Sequence, residues 1–234
     1  MTFTALASSS KGNAYTISDG ATTIMLECGL PWKKLRERLN FRTSEIAGIL
    51  LTHRHGDHTK GAKDAAKAGM ELYASKGTFE ALQIAEHRAN HIRAGEQFRI
   101  GTWMILSFAT IHDGLESLGF YMVGKDDEAF LFLTDSGYCP VRFKGLSVIA
   151  IECNFVEEIM TEKIISGGIP AAAGHRIRRA HMSLEATVGM LKANDLSRCR
   201  AVYLLHLSNG NSDEAKMVRA VQEATGIPCF VCEE

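Results

Sequence analysis

Several things are missing from this 234-residue sequence, and each absence narrows what it can be. Neither sign of charge dominates. The net charge is −1 and the pI about 6.8, so the chain as a whole is no electrostatic trap for nucleic acid, and any basic surface must be local. No apolar run approaches the roughly 18 residues that a spanning helix needs. The opening stretch, MTFTALASSSKGN, lacks a charged segment leading into an apolar core. A secretory leader is therefore not expected, and the protein is read as cytoplasmic with no membrane partner. There is no internal repeat, low-complexity tract or long linker. The six cysteines (28, 139, 153, 199, 229, 232) are dispersed and sit mostly in apolar runs, a pattern of buried thiols rather than disulfides. Cys229-x-x-Cys232 has no second CxxC and no following helix start, so neither a zinc knuckle nor a thioredoxin-type motif is expected.

What is present is the composition of an ordinary globular protein, 46% hydrophobic and 23% charged. A chain of this length can bury a proper core, and a single domain over 1–234 is expected. Strand-like runs fall at 3–6, 13–18, 22–28 and 47–52, with a helix over 31–39 that places Leu35 and Leu39 on one face. Helices are expected at 60–68 and 77–93. Further strands follow at 98–100, 102–110, 118–124, 129–134 and 146–153. Helical patterns cover 155–165 and 183–194, then a strand at 201–207, a helix at 213–224 and a last strand at 228–232. Residues 166–174, SGGIPAAAG, read as a flexible glycine-rich stretch. The alternation suits a layered α/β sandwich.

One segment carries most of the chemistry. LLTHRHGDHTKG (50–61) places His53, His55, Asp57 and His58 in six positions, immediately after a continuous apolar run that reads as a buried strand. A single histidine is usually structural. Four ligand-type side chains at the C-terminal end of such a strand indicate metal, with imidazole and carboxylate donors suited to zinc, manganese or iron. Three more candidates end other strand-like runs: His112 in FATIHDG, Asp135 in LFLTDSG and His206 in VYLLHLS. Together they provide one site of His53, His55 and His112 and another of Asp57, His58 and His206, with Asp135 suited to bridge two divalent ions. His87 and His91, four apart, are read as the solvated face of the 77–93 helix.

The ordered set THRHGDH, His, Asp, His resembles the metallo-β-lactamase fold superfamily. LASSSKGNAY, IHDGLESLGF, LTDSGY, IECNF and AHMSLEAT…LLHLSNGNSD further resemble, in order, its YycJ/WalJ-like branch of hydrolases, related to RNase J. The resemblance implies a four-layer αββα sandwich with metals at one edge. It also implies phosphodiester hydrolysis, with 5′-to-3′ exonuclease action on DNA as the branch's best-known assignment and DNA preferred over RNA. Two positions depart from the branch. Glu27 stands where it usually has Asp, a residue that supports the metal loop from outside the ligand set. Phe155 stands where relatives often have histidine.

Metals alone do not select phosphate. A metal-activated hydroxide attacks amides and thioesters as well. His181, in RRAHMSLEA just before a Ser183-capped helix, matches the histidine that related nucleases place on the scissile phosphate or leaving oxygen. By that resemblance it is a catalytic residue together with Asp57. Arg176, Arg178 and Arg179 lie beside it and suit phosphate oxygens. Ser9, Ser10 and Asn13 could hold a terminal phosphate. The segment from Asp135 to His206 is too short for the large inserted domain of RNase J-type enzymes, which leaves a shallower site or one completed by a second subunit in a homodimer. The rival readings are a cyclic nucleotide phosphodiesterase, a thioester or lactone hydrolase, and a metal-holding DNA-binding protein without turnover.

Overall fold

The computed structural model describes residues 1–85, 87–113 and 116–232. Two mixed sheets flanked by helices form an α/β sandwich, the class expected from the alternating pattern. Backbone contacts divide the chain into two compact units. The first takes residues 1–109 and 114–128, the second 110–113 and 129–232.

In the first unit, β1 (Thr2–Ser9) and β2 (Gly12–Ser18) form a hairpin, and β3 (Thr23–Leu26) pairs antiparallel to β2. β4 (Ile46–Leu50), β5 (Leu72–Ala74) and β6 (Ala89–His91) then add in parallel, so the six strands lie in sequence order. Between them run α1 (Trp32–Arg38), α2 (Gly56–Thr59), α3 (Ala62–Lys67) and α4 (Lys76–Leu82). Trp32, Leu35 and Leu39, spaced for one helical face, pack into a core with Met25, Ile49 and Phe79. An antiparallel meander, β7 (Gln97–Ile100), β8 (Trp103–Ala109) and β9 (Leu118–Val123), completes the unit.

The second unit is built on four parallel strands: β10 (Ala129–Leu133), β11 (Leu146–Glu152), β12 (Ala201–Leu205) and β13 (Cys229–Val231). All seven residues of β11 are buried, as expected of a parallel strand covered on both faces. The crossovers carry α5 (Glu157–Ile165), α6 (Ala171–Ala180), α7 (Leu184–Lys192) and α8 (Glu214–Thr225).

Two expectations need correction. The helix expected over 77–93 ends at Leu82, where Gln83 turns left-handed (φ 53°), and residues 89–91 are strand β6. His91 is thus on a strand. The glycine-rich 166–174 stretch is not a flexible connection throughout, because α6 begins at Ala171 after Pro170. Gly174 within it is a packing residue: a Cβ there would sit 2.4 Å from Ile164 Cδ1 of α5.

Candidate metal centre

In the first unit the ligand-type residues follow β4 directly. His55 is the N-cap residue of α2, whose single turn carries Asp57 and His58. The loop after β3 fixes this segment from beneath. Cys28 N–H donates to the His58 carbonyl (2.7 Å), and Gly61 N–H donates to the Cys28 carbonyl (2.8 Å). Gly29 passes so close that a Cβ would lie 1.8 Å from the Asp57 carbonyl oxygen, so only glycine fits there.

Glu27 organises the imidazoles. It is fully buried, and its backbone is left-handed (φ 64°), a costly conformation for a residue with a side chain. The Thr52 hydroxyl donates to Glu27 Oε1, and its oxygen lies 2.9 Å from His53 Nδ1. A hydroxyl has one proton to give, so His53 must be the donor in the second bond, which leaves His53 Nε2 with its lone pair. Glu27 Oε1 also lies 3.4 Å from His58 Nδ1 and favours the tautomer with the proton on Nδ1. Burial pushes the Glu27 carboxyl above its usual range, against the pull of His58 and Thr52. His53 Nε2 and His55 Nδ1 face each other at 3.0 Å, and His58 Nε2 lies 3.3 Å from Asp57 Oδ2. Ring nitrogens this close, set beside a carboxylate, are a donor set that suits a divalent cation of N/O preference.

In the second unit the same tautomer logic recurs. His112 Nδ1 donates to the Ala180 carbonyl (2.8 Å), leaving Nε2 aimed at Asp135 Oδ2, 3.6 Å away. His206 Nδ1 lies 3.2 Å from Asp135 Oδ1. Each Asp135 oxygen therefore faces a different imidazole. Asp135 and His206 sit just past the ends of β10 and β12, both left-handed (φ 41° and 53°). Asp135, Glu152, His181 and His206 bring potential ligand atoms within 4.8 Å of one another.

Glu152 is the residue that sequence reasoning missed. It ends β11 fully buried and accepts four hydrogen bonds. His181 Nδ1 (2.6 Å) and His206 Nδ1 (3.1 Å) converge on Oε1. The backbone N–H groups of Ser136 (3.0 Å) and Met182 (3.1 Å) converge on Oε2. A charged residue closing an otherwise apolar buried strand was the available signal. Burial alone would raise the Glu152 pKa, but His181 and His206 hold it below the ordinary carboxylate range. Burial disfavours imidazolium at His181, yet Glu152 and Asp135 outweigh it and raise its pKa.

The residues expected at the substrate divide. Asn13 is fully buried: its amide donates to the Ser9 carbonyl (3.0 Å) and its oxygen accepts from Tyr15 (3.0 Å), while Nδ2 lies 3.3 Å from His58 Nε2. It positions the hairpin and His58. Ser9 is buried and accepts from Lys11 N–H; Ser10 is exposed. Arg176 pairs with Asp113 (2.9 Å), and Arg178 with Glu157 and Thr161, whereas Arg179 is exposed at the end of α6. Phe155 is buried, and its carbonyl accepts from Leu184 N–H at the start of α7, so the side chain fills core.

Residues 22–207 match the model of the β-lactamase superfamily domain. The chain belongs to that superfamily. The exodeoxyribonuclease WalJ of Streptococcus pneumoniae is 31% identical over 227 residues, covering 90% of this chain and 82% of its own length, and places this chain in the WalJ/YycJ-like branch. The exodeoxyribonuclease YycJ of Bacillus anthracis is 27% identical over 224 residues, with 90% and 83% coverage. Among solved structures, the metallo-β-lactamase fold protein YhfI from Bacillus subtilis superposes with a TM-score of 0.73 at 14% identity, over 99% of this chain and 96% of its own. Membership makes the chain a metal-dependent hydrolase of the metallo-β-lactamase fold, and the His/Asp/Glu donor set fits the divalent ions that the fold implies. Among the described residues no helix is long and apolar enough to cross a membrane.

Proposed function

We propose that the protein is a dinuclear metal phosphodiesterase that degrades DNA from a 5′ end. The observation that carries this reading is the Glu152–His181 pair, 2.6 Å apart and beside Asp135. A thioester, whose thiolate leaves readily without a proton, has no evident use for a carboxylate-held imidazole beside the metal donors. A phosphodiester needs a proton delivered to its leaving oxygen.

His53, His55, Asp57, His58, His112, Asp135 and His206 would hold the two ions, supplied as zinc, manganese or iron. Bound there, the ions supply positive charge to the phosphate and hydroxide at neutral pH. The chain's own residues do the rest. Glu27 sets the lone pair of His53 through Thr52 and that of His58 directly, each on the Nε2 side of its ring. Glu152 engages His181 through Nδ1, so the remaining nitrogen, Nε2, is the atom that gives its proton to the departing oxygen. Against the effect of burial, Glu152 and Asp135 raise the His181 pKa, which favours the protonated ring. We assign to substrate phosphates the exposed Arg179 of the second unit and, separately, the exposed Ser10 hydroxyl of the first. The superfamily match runs through both compact units, which supports their acting as one hydrolase domain. We read the enzyme as cytoplasmic, with a homodimer as the form that would enclose a shallow site.

Metal-reconstituted protein should release nucleotides from a 5′-phosphorylated duplex faster than from RNA or cyclic mononucleotides. Asp57→Ala and His58→Ala should each abolish cleavage while the circular dichroism spectrum is retained. Full activity in both variants, or turnover confined to cyclic nucleotides, overturns the proposal.

A further inference from the structure

The richest basic stretch belongs to the first unit. Residues 31–45, PWKKLRERLNFRTSE, carry five cations against two carboxylates in a chain of net charge −1. α1 buries Trp32 and Leu35, and its other faces expose Lys33, Lys34, Arg36 and Arg38. The turn after it is unusual. Asn40 and Phe41 are both left-handed (φ 49° and 60°), a conformation a bulky side chain rarely adopts. The strain is not offset by burial, because Phe41 remains 63% exposed. Its ring instead carries the Arg36 guanidinium, 5.6 Å from the centroid.

Beside this turn lies a groove of about 330 Å³. Thr4, Thr16, Ser18 and Thr23 are among the residues that line it, as are Arg38, Arg42 and Glu45. Arg38 donates to the Leu6 carbonyl, which fixes its guanidinium at the rim. Among the described residues the Arg42 guanidinium has an exposed contact with Glu45, at 3.7 Å, too weak to hold it from a phosphate. Thr23 begins β3 and Glu27 follows its end, so groove and metal-binding segment lie at opposite ends of one strand, about 13 Å apart by strand rise.

The geometry points to an accessory site for a nucleic-acid strand. Phosphates lie against Arg38 and Arg42, sugar and phosphate oxygens bond the hydroxyl floor, and a base stacks on the outer face of Phe41. An aromatic platform beside a cationic groove is how single strands are held without sequence preference. A lipid surface would meet the same charges but has no use for a recessed hydroxyl-lined groove. The inference rests on the nucleic-acid reading above and adds to it a contact well away from the metals.

The test uses metal-loaded full-length protein and a fluorescent phosphorothioate oligothymidylate of about a dozen nucleotides, read by anisotropy. Phe41→Gly, and Arg38→Ala combined with Arg42→Ala, should each weaken binding about tenfold. The double variant should also lower the salt slope by about 0.7 per lost phosphate contact. On cleavable DNA, KM should rise with kcat unchanged, and a dinucleotide, too short to reach the groove, should be unaffected. Phe41→Trp should keep the affinity. Phe41→Gly should raise the melting temperature, since glycine accepts the left-handed backbone, so its lost affinity would not be misfolding. If the parent cleaves DNA and these variants bind and cleave as it does, the groove is no binding site and the hydrolase reading stands. If the parent neither binds nor cleaves any nucleic acid, both fall. Loss of co-sedimentation with anionic vesicles, with oligonucleotide binding intact, would assign the surface to lipid and overturn the inference.

Discussion

A single carboxylate at the end of β11 sets the character of the second unit's chemistry. Glu152 receives four donors, two from imidazoles and two from the backbone. A glutamine of the same size has one acceptor oxygen and an NH2, so it cannot satisfy all four in either orientation. Glu152→Gln should lower kcat by about 10²-fold or more and destabilise the protein by roughly 2–3 kcal/mol. It should also move the alkaline limb of the kcat profile to lower pH, because the carboxylate that raises the His181 pKa is gone. An unchanged profile would mean His181 does not donate the proton. Asp19, which is outside the candidate ligand set, makes a cleaner test of pH and stability. Burial disfavours its charge, but Thr102 and the N–H groups of Thr22, Ala21 and Lys125 win and hold its pKa at about 2 against an ordinary 3.8. A depressed carboxylate stabilises the fold above its unfolded pKa and ceases to as pH falls through its folded one. Asp19→Asn should therefore cost on the order of 1–3 kcal/mol at neutral pH. The gap from wild type should close between pH 4 and 2 in urea titrations.

Loops at strand ends decide whether the ligands are presented at all. The close approach of the β3–α1 loop to the Asp57 carbonyl means that Gly29→Ala should displace the metal segment and cost about 3 kcal/mol. Metal content per chain, measured on the folded fraction, checks the first effect, and full occupancy would sink it. At this scale the sequence was legible in part. Strand β4 and its histidines were readable because an apolar run stopped abruptly at ligands. The break after Leu82 was not, since a helix closed by Gln83 rather than glycine carries no stop signal. α6 was hidden by Gly174, whose missing side chain reads as flexibility in sequence and serves close packing in space. Glu152 escaped because one acid in an apolar run resembles a strand edge until its four donors, drawn from three other segments, are seen.

For the whole molecule, the chain path has practical effects. Residues 110–113, which carry His112, belong to the unit otherwise made from 129–232. A fragment that starts at residue 129 lacks that candidate ligand. Metal should also be a substantial part of apparent stability: an ion at a hundred times its Kd adds about 2.7 kcal/mol. Chelation should lower the calorimetric melting temperature by roughly 5–10 °C, and re-addition of zinc or manganese should restore it. An identical melting curve with and without chelator would argue against a preformed centre.

Glu27, Asp135 and His206 share left-handed backbones where their strands end. Each is held in a conformation that costs about 1 kcal/mol or more and that glycine or asparagine would tolerate better. The consequence concerns directed evolution. A library of this enzyme screened for heat resistance alone, in the presence of chelator, should enrich glycine or asparagine at these positions and so drift toward stable, inactive proteins. Selection for thermostability here must be coupled to turnover from the first round.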